Sequence, residues 1–396
     1  MEHFPPQNIW SLHGRTFVLN STIGLRVTAF SDRRFHVLVL LGSILAFGVR
    51  GAKYNPIVSG DDATLVSHAL DRQMPWGMFG HFDKLGLFDP FNDYLAVLLR
   101  IVTHVALIGP DTGFAFRIYV IMTIFWALVT WLIALTIKNY VSPMAGVTTA
   151  LTLCWLPFSN QVFLAQANTI AWPLALLCIL VVALRIYPEK QLYRVVLVVV
   201  FSLTAMSTGT MIVAIGWLVF DIARNIRTIN RFQFVLLFFT SISYYIQWIA
   251  YKPRPNVKLP LGHELYRTLF SWSPQFIRNR IGQELSLSFT FILYLIPTLL
   301  FGSWLYLFIS AYQSNKVRAI ASLRLLITSL MLPVLLITGN GWLNTHYLFI
   351  PSALFWLSAL ILAASIRDRK TAVSHLAIGA LIFFYCAAIS GVYYVL

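Results

Sequence analysis

Runs of apolar residues long enough to enter a bilayer recur along nearly the whole chain, and most of the gaps between them are short and basic. That pattern narrows the fold before any other feature is considered. Inside hydrocarbon every backbone N–H and C=O must be satisfied within the protein, so runs of this length fold as helices. A bilayer-length ruler predicts about eleven helices, some of them short. They are expected at 36–50, 114–137, 143–158, 168–185, 195–206, 209–221, 233–250, 287–311, 323–339, 347–365 and 374–395. The expected class is therefore an all-α polytopic membrane protein. Residues 1–396 should form a single transmembrane domain, because most links are too short to hold a second folded unit.

Composition enters as a check on that reading. Hydrophobic residues make up 58% of the chain, charged residues only 11%, and mean hydropathy is +0.75, which leaves too little polar surface to keep a soluble domain wet. A net charge of +15 would point a soluble protein toward nucleic acid. Here most of the basic residues fall between apolar runs, so topology accounts for the excess and no nucleic-acid partner is expected. The polar stretch 1–35 carries no small-residue cleavage site after the first apolar run, so that run is expected to remain as a span. Cys154, Cys178 and Cys386 lie within apolar runs without metal-ligand or disulfide spacing, and read as small core hydrophobes.

Basic flanks stay cytoplasmic, and this orients the chain. Arg15, Arg26, Arg33 and Arg34 precede the first span, placing the N-terminus inside. The run 195–220 could be one helix, but basic clusters bound it on both sides: Arg185, Lys190 and Arg194 before, Arg224, Arg227 and Arg231 after. A hairpin near Ser207, Thr208 and Gly209 puts both clusters inside. Lys316, Arg318 and Arg324 then fall in an inside gap, as do Arg367, Arg369 and Lys370.

Two outside segments break the basic pattern of the rest. Segment 51–113 holds Asp61, Asp62, Asp71, Asp83, Asp89, Asp93 and Asp111, half of the chain's 14 acids. It also contains two amphipathic pieces, 63–73 and 92–108, suited to the interface plane. Segment 251–286 is basic on the side where cations are not expected, with Lys252, Arg254, Lys258, Arg267, Arg278 and Arg280 against Glu264 and Glu284. An anionic ligand at the membrane surface would account for it.

Motifs along the chain resemble, in order, those of the GT-C class of integral-membrane glycosyltransferases. Gly60-Asp61-Asp62-Ala63 after the first span is similar to that class's acidic motif, and Phe88-Asp89-Pro90-Phe91-Asn92-Asp93-Tyr94-Leu95 to its proline-and-tyrosine segment. Phe158-Ser159-Asn160-Gln161 and the stretch Ser202 to Thr210 fit its usual course. Asn344-Thr345-His346-Tyr347-Leu348-Phe349-Ile350-Pro351 resembles its Arg-Tyr-Leu-x-x-Pro entry into a late span. Two positions depart from the pattern, Asp62 for the commoner Glu and His346 for the commoner Arg.

The resemblance implies an inverting hexosyl- or pentosyltransferase that moves one sugar from a polyprenyl-phosphate donor to a glycan or lipid acceptor outside the membrane. Outside there is no ATP, so the donor must be activated before it crosses. Asp61 would accept the proton of the attacking hydroxyl and Asp62 would support it, with the order open to reversal. Arg254, Lys258, Arg267, Arg278, Arg280 and His346 would meet the phosphate, and His81 and Asp83 lie in a glycine-containing segment that could cover the site. The leaving phosphate is already a stable anion, so no acid partner of the glycosidase kind is needed. No spacing supports a metal or other cofactor. The family's bacterial members that modify surface polysaccharide or lipopolysaccharide imply a bacterial inner membrane, with the active site facing the periplasm and membrane lipids as surroundings.

Other readings of the same residues stand beside this one. Either aspartate could simply cap the helix beginning at Ala63, and the basic loop could hold ordinary headgroups. A polysaccharide polymerase or ligase would use similar lipid-linked sugars. A lipid-linked sugar flippase would require ionisable groups within the spans and two related halves, and neither is visible in the sequence.

Overall fold

The computed structural model describes residues 8–12, 15–19, 25–52, 90–91, 94–95, 97–108, 113–155, 169–224, 230–250, 289–340 and 349–366. The helices are α1 (Leu25–Ala52), α2 (Val97–Ala106), α3 (Phe114–Tyr140), α4 (Pro143–Trp155), α5 (Ala171–Leu184), α6 (Gln191–Ala205), α7 (Ile212–Arg224), α8 (Arg231–Ala250), α9 (Phe289–Ser314), α10 (Lys316–Asn340) and α11 (Phe349–Ser365). Two short antiparallel pairs accompany them, β1 (Asn8–Leu12) with β2 (Arg15–Leu19), and β3 (Pro90–Phe91) with β4 (Tyr94–Leu95). Each apolar run predicted between 36 and 365 is helical over most of its described residues, and the run 374–395 lies outside the described residues.

Among the described residues four helices are long and apolar enough to cross a membrane: Arg33–Ala52, Phe114–Tyr140, Arg231–Ile249 and Lys316–Leu335. Five shorter apolar helices pack among them, α2, α4, α5, α6 and α11. Helix α5 is the central pillar. All its residues except Trp172 are buried, and it meets α3, α6, α7, α10 and α11. A helix that is apolar all round has no face to offer water, so a core position is the one it can occupy.

Short links with local caps connect the helices at one end of the bundle. Ser142 accepts from the Ala145 amide through Oγ at 3.2 Å, Asn230 from Phe232 at 3.0 Å, and Asn315 from Arg318 at 3.2 Å. Each side chain satisfies an otherwise orphaned N–H at the start of α4, α8 or α10, and Pro143 occupies the first helical position, where it loses no bond. The α3–α4 turn brings two backbones close. A Cβ on Gly146 would stand 2.7 Å from the Ala134 carbonyl oxygen and 2.9 Å from the Lys138 Cβ, so only glycine fits that seam.

The predicted hairpin is present. Helix α6 stops at Ala205, and the chain turns through Met206 to Thr208, whose side chain accepts from the Thr210 amide, before a short 3-10 turn leads into α7. This break sends α6 and α7 in opposite directions and brings both of their basic flanks to the same end.

Contacts sort the predicted gaps onto two ends. One end holds the Lys138 ammonium over the Phe35 ring at 4.7 Å, Arg318 over Tyr140 at 5.9 Å, and Arg194 over Phe232 at 5.4 Å. The other end holds Tyr119 Oη donating to the Gly48 carbonyl at 2.7 Å, Arg50 donating to the Cys154 carbonyl, and Trp126 between Phe47 and Phe349 at 5.6 and 5.2 Å. The residues of the first group were all expected in inside gaps, and those of the second were expected within the predicted spans.

Helix α10 begins at Lys316 rather than at the predicted 323, so Lys316 and Arg318, expected in an inside gap, are helical, and Arg324 is 6% exposed within the bundle. Its Nη2 donates to Asp221 Oδ2 at 2.9 Å, and its guanidinium lies over the Trp217 ring at 4.4 Å. Asp221, itself 1% exposed, also receives Arg185 through Nε at 3.0 Å and through Nη2. A buried arginine needs a counter-charge, and α7 supplies it from across the bundle.

Arg185 reaches that carboxylate from an unusual backbone position. It ends α5 with φ of 57°, the one positive φ on a non-glycine among the described residues. Its amide bonds the Val182 carbonyl at 3.1 Å, and Ile186 bonds Val181 at 3.0 Å. This is a Schellman turn, in which glycine is the unstrained occupant. The nearby Tyr187 phenol, in the link to α6, is pushed up to about 12 by burial, with the Asp221 carboxylate acting in the same direction.

Candidate functional site

The loop-bearing end of the bundle is the candidate site, and α1, α2, α8 and α11 define it. Helix α1 runs up to Ala52, at the entrance to the acidic segment. Gly51 lies against Tyr119, where an added Cβ would come within 2.7 Å of the ring. Later in the same segment comes α2, whose Leu98 amide donates to Ser207 Oγ at 3.1 Å. Helix α2, late in segment 51–113, is thereby pinned to the α6–α7 hairpin. This α2 is the helix expected in the amphipathic piece 92–108. It buries most of its circumference against α3 and α6, with Val97, Leu98, Leu99, Arg100, Val102, Thr103 and Ala106 all buried, so it is a bundle element.

The basic segment begins at the same end. Phe232, in the first turn of α8, lies beside Tyr187 at the opposite end, with ring centroids 6.0 Å apart, so α8 runs toward the loop end and finishes there at Ala250. Strand β4, part of the acidic segment, packs against α8. The acidic segment therefore meets the helix that leads into 251–286. Helix α11 also starts here, with Phe349 against Trp126. The residues expected to carry the chemistry, Asp61, Asp62, His81, Asp83, Arg254, Lys258, Arg267, Arg278, Arg280 and His346, lie outside the described residues.

Three arginines at this end were not singled out by sequence. Arg50, in the last turn of α1, is fully buried against Cys154, whose Sγ lies 3.5 Å from Ser43 Oγ. Arg100 is 6% exposed on α2. Arg117, in the first turn of α3, donates through Nε to the Ala106 carbonyl at 2.5 Å and keeps a buried Nη2 without a hydrogen-bond partner among the described atoms. The available signal was an arginine inside an apolar run, since arginine is rarely buried unless paired. Guanidiniums in such surroundings can grip a phosphate by paired N–H donors.

Metal chemistry finds no support among the described residues, where no group of three or more His, Cys, Asp or Glu could hold an ion. Cys154 and Cys178 are buried free thiols within the helix core, and Cys386 lies outside the described residues. The sequence matches no family model and no curated protein. Helices long and apolar enough to span a bilayer identify the chain as consistent with an integral membrane protein.

Proposed function

We propose that this protein is a polytopic glycosyltransferase of about eleven spans that takes a sugar from a polyprenyl-phosphate donor and attaches it to a glycan or lipid acceptor at the outer membrane surface. The observation that supports the reading is the meeting of β4, within segment 51–113, with α8, the helix that leads into segment 251–286. A carboxylate base and cations for a departing phosphate must act within one site. The ordered motifs around Asp61, Asp62 and His346 supply the chemical identity of the reading. In it, Asp61 takes the acceptor proton while Asp62 orients it, and Arg254, Lys258, Arg267, Arg278, Arg280 and His346 stabilise the phosphate. Arg50, Arg100 and Arg117 add positive potential at the same end of the bundle as the start of α11.

The test is transfer of labelled sugar from polyprenyl-phosphate donors in membranes that contain the full chain. Asp61→Asn and Asp62→Asn are expected to abolish transfer at unchanged protein level. Full activity in both variants removes the assignment of the base. Deleting the gene should also cause the lipid-linked sugar to accumulate.

A further inference from the structure

At the end of the bundle opposite the loops, the cluster of Arg185, Asp221 and Arg324 takes no part in the proposed transfer. Two guanidiniums share one carboxylate, and both of its oxygens are engaged, Oδ1 by Arg185 and Oδ2 by Arg185 at 3.0 Å and Arg324 at 2.9 Å. The trio therefore carries a surplus positive charge. Leaving such a charge in a low-dielectric interior costs several kcal/mol unless an anion offsets it. Two buried polar atoms in the cluster, Arg324 Nε and Tyr187 Oη, also lack a hydrogen-bond partner among the described atoms. Gln233 is a polar neighbour of the Tyr187 hydroxyl but lies outside hydrogen-bond geometry. An ionisable group within a span is most often tied to a ligand or a charge path.

The cluster has an opening. The Arg185 side chain is 31% exposed while those of Arg324 and Asp221 are 8% and 1% exposed. Arg185 holds that position in a left-handed conformation that glycine would adopt without strain. Its side chain, rather than its backbone, gives the position its use.

We propose that Arg185, Arg324 and Tyr187 bind a phosphate group, that of an anionic lipid headgroup. The two guanidiniums neutralise the phosphate, and the Tyr187 hydroxyl donates to it. Arg324 lies within the candidate span Lys316–Leu335, about 12 Å along α10 from its start, a depth that a headgroup at the interface can serve. Basic pockets between membrane helices are the usual receivers of such headgroups, and exposed Lys190 adds to the local positive field.

The experiment uses the full chain in nanodiscs of phosphatidylcholine, with and without phosphatidylglycerol, and reads the midpoint of thermal unfolding. Wild type is expected to unfold about 1–2 °C higher with the anionic lipid, the shift that lipid at roughly tenfold its dissociation constant gives a chain of this length. Arg185→Gly removes the cation while relaxing the backbone, so the variant should fold and lose most of that rise. Lys190→Gln should keep it. The proposal is overturned if wild type shows no rise, if Arg185→Gly keeps it in full, or if Lys190→Gln loses as much, since the attraction would then be diffuse. Inorganic phosphate added to phosphatidylcholine nanodiscs should leave the midpoint unchanged, and an equal rise would reassign the site from lipid to free phosphate.

Discussion

Asp221 and Arg324 stand 103 positions apart in the chain and 2.9 Å apart in the fold, joining α7 to α10 through a pair that is almost wholly buried. Arg185 completes the contact from the end of the central helix α5. Three elements that share no local sequence relationship are thus fixed to one another at a single carboxylate.

Removing that carboxylate leaves two guanidiniums facing each other without their shared counter-charge. Asp221→Asn is expected to destabilise the protein by about 3–5 kcal/mol, the usual range for breaking a buried pair. Arg185→Gly should cost far less, because the lost ion pair is partly offset by release of left-handed strain of roughly 1 kcal/mol. Unfolding of both variants in detergent, compared with wild type, checks the order.

Tyr187 makes stability depend on alkaline pH. Its phenol titrates near 10 in an unfolded chain and at about 12 in the fold, so the folded state holds the proton more tightly. The contribution is complete below pH 10 and is lost as pH rises through about 12. Tyr187→Phe should flatten this part of the profile, measured as the thermal midpoint between neutral pH and pH 12.

The glycines of the helices separate by their surroundings. Gly146→Ala places a methyl group against the backbone of α3 and should cost about 1–3 kcal/mol. A Cβ at Gly216 in α7 meets nothing within 4 Å, so Gly216→Ala should stabilise the helix by about 0.5–1 kcal/mol. Opposite shifts in the unfolding midpoint are the expected outcome.

Ser207→Ala strips the Leu98 amide of its partner and should cost about 1–3 kcal/mol. If α2 positions the acidic segment, sugar transfer will fall further than this loss of stability implies. Comparing transfer with the amount of folded protein separates the two effects.

The helices were legible because hydrophobic runs are local, and the break at Ser207 to Gly209 was legible because charge on both flanks demanded it. The start of α10 was not. Lys316, Arg318 and Arg324 were read as a solvated gap, although Asn315 carried the cap signal that begins the helix there. Nothing near Arg324 in sequence announces Asp221, and a pairing between distant helices exists only once the bundle is assembled. The same limit hid Arg50 and Arg100, whose burial depends on neighbours from α4 and α3. In the candidate site, the acidic and basic segments could be recognised by composition. That the acidic segment meets α8, the helix leading into the basic one, is a property of packing.

The links at the two ends also divide the molecule's freedom to change. At the capped end, α3 passes to α4 through Val141 and Ser142, and α9 to α10 through Asn315 alone. An insertion there would unseat a cap and pull apart two helices, so new sequence has almost nowhere to enter. At the other end, long segments join α1 to α2 and α8 to α9, and added sequence there lengthens a segment that is already long. Related chains that differ in what they recognise should therefore differ on that side first, and a grafted loop should move specificity while the helices carry it unchanged.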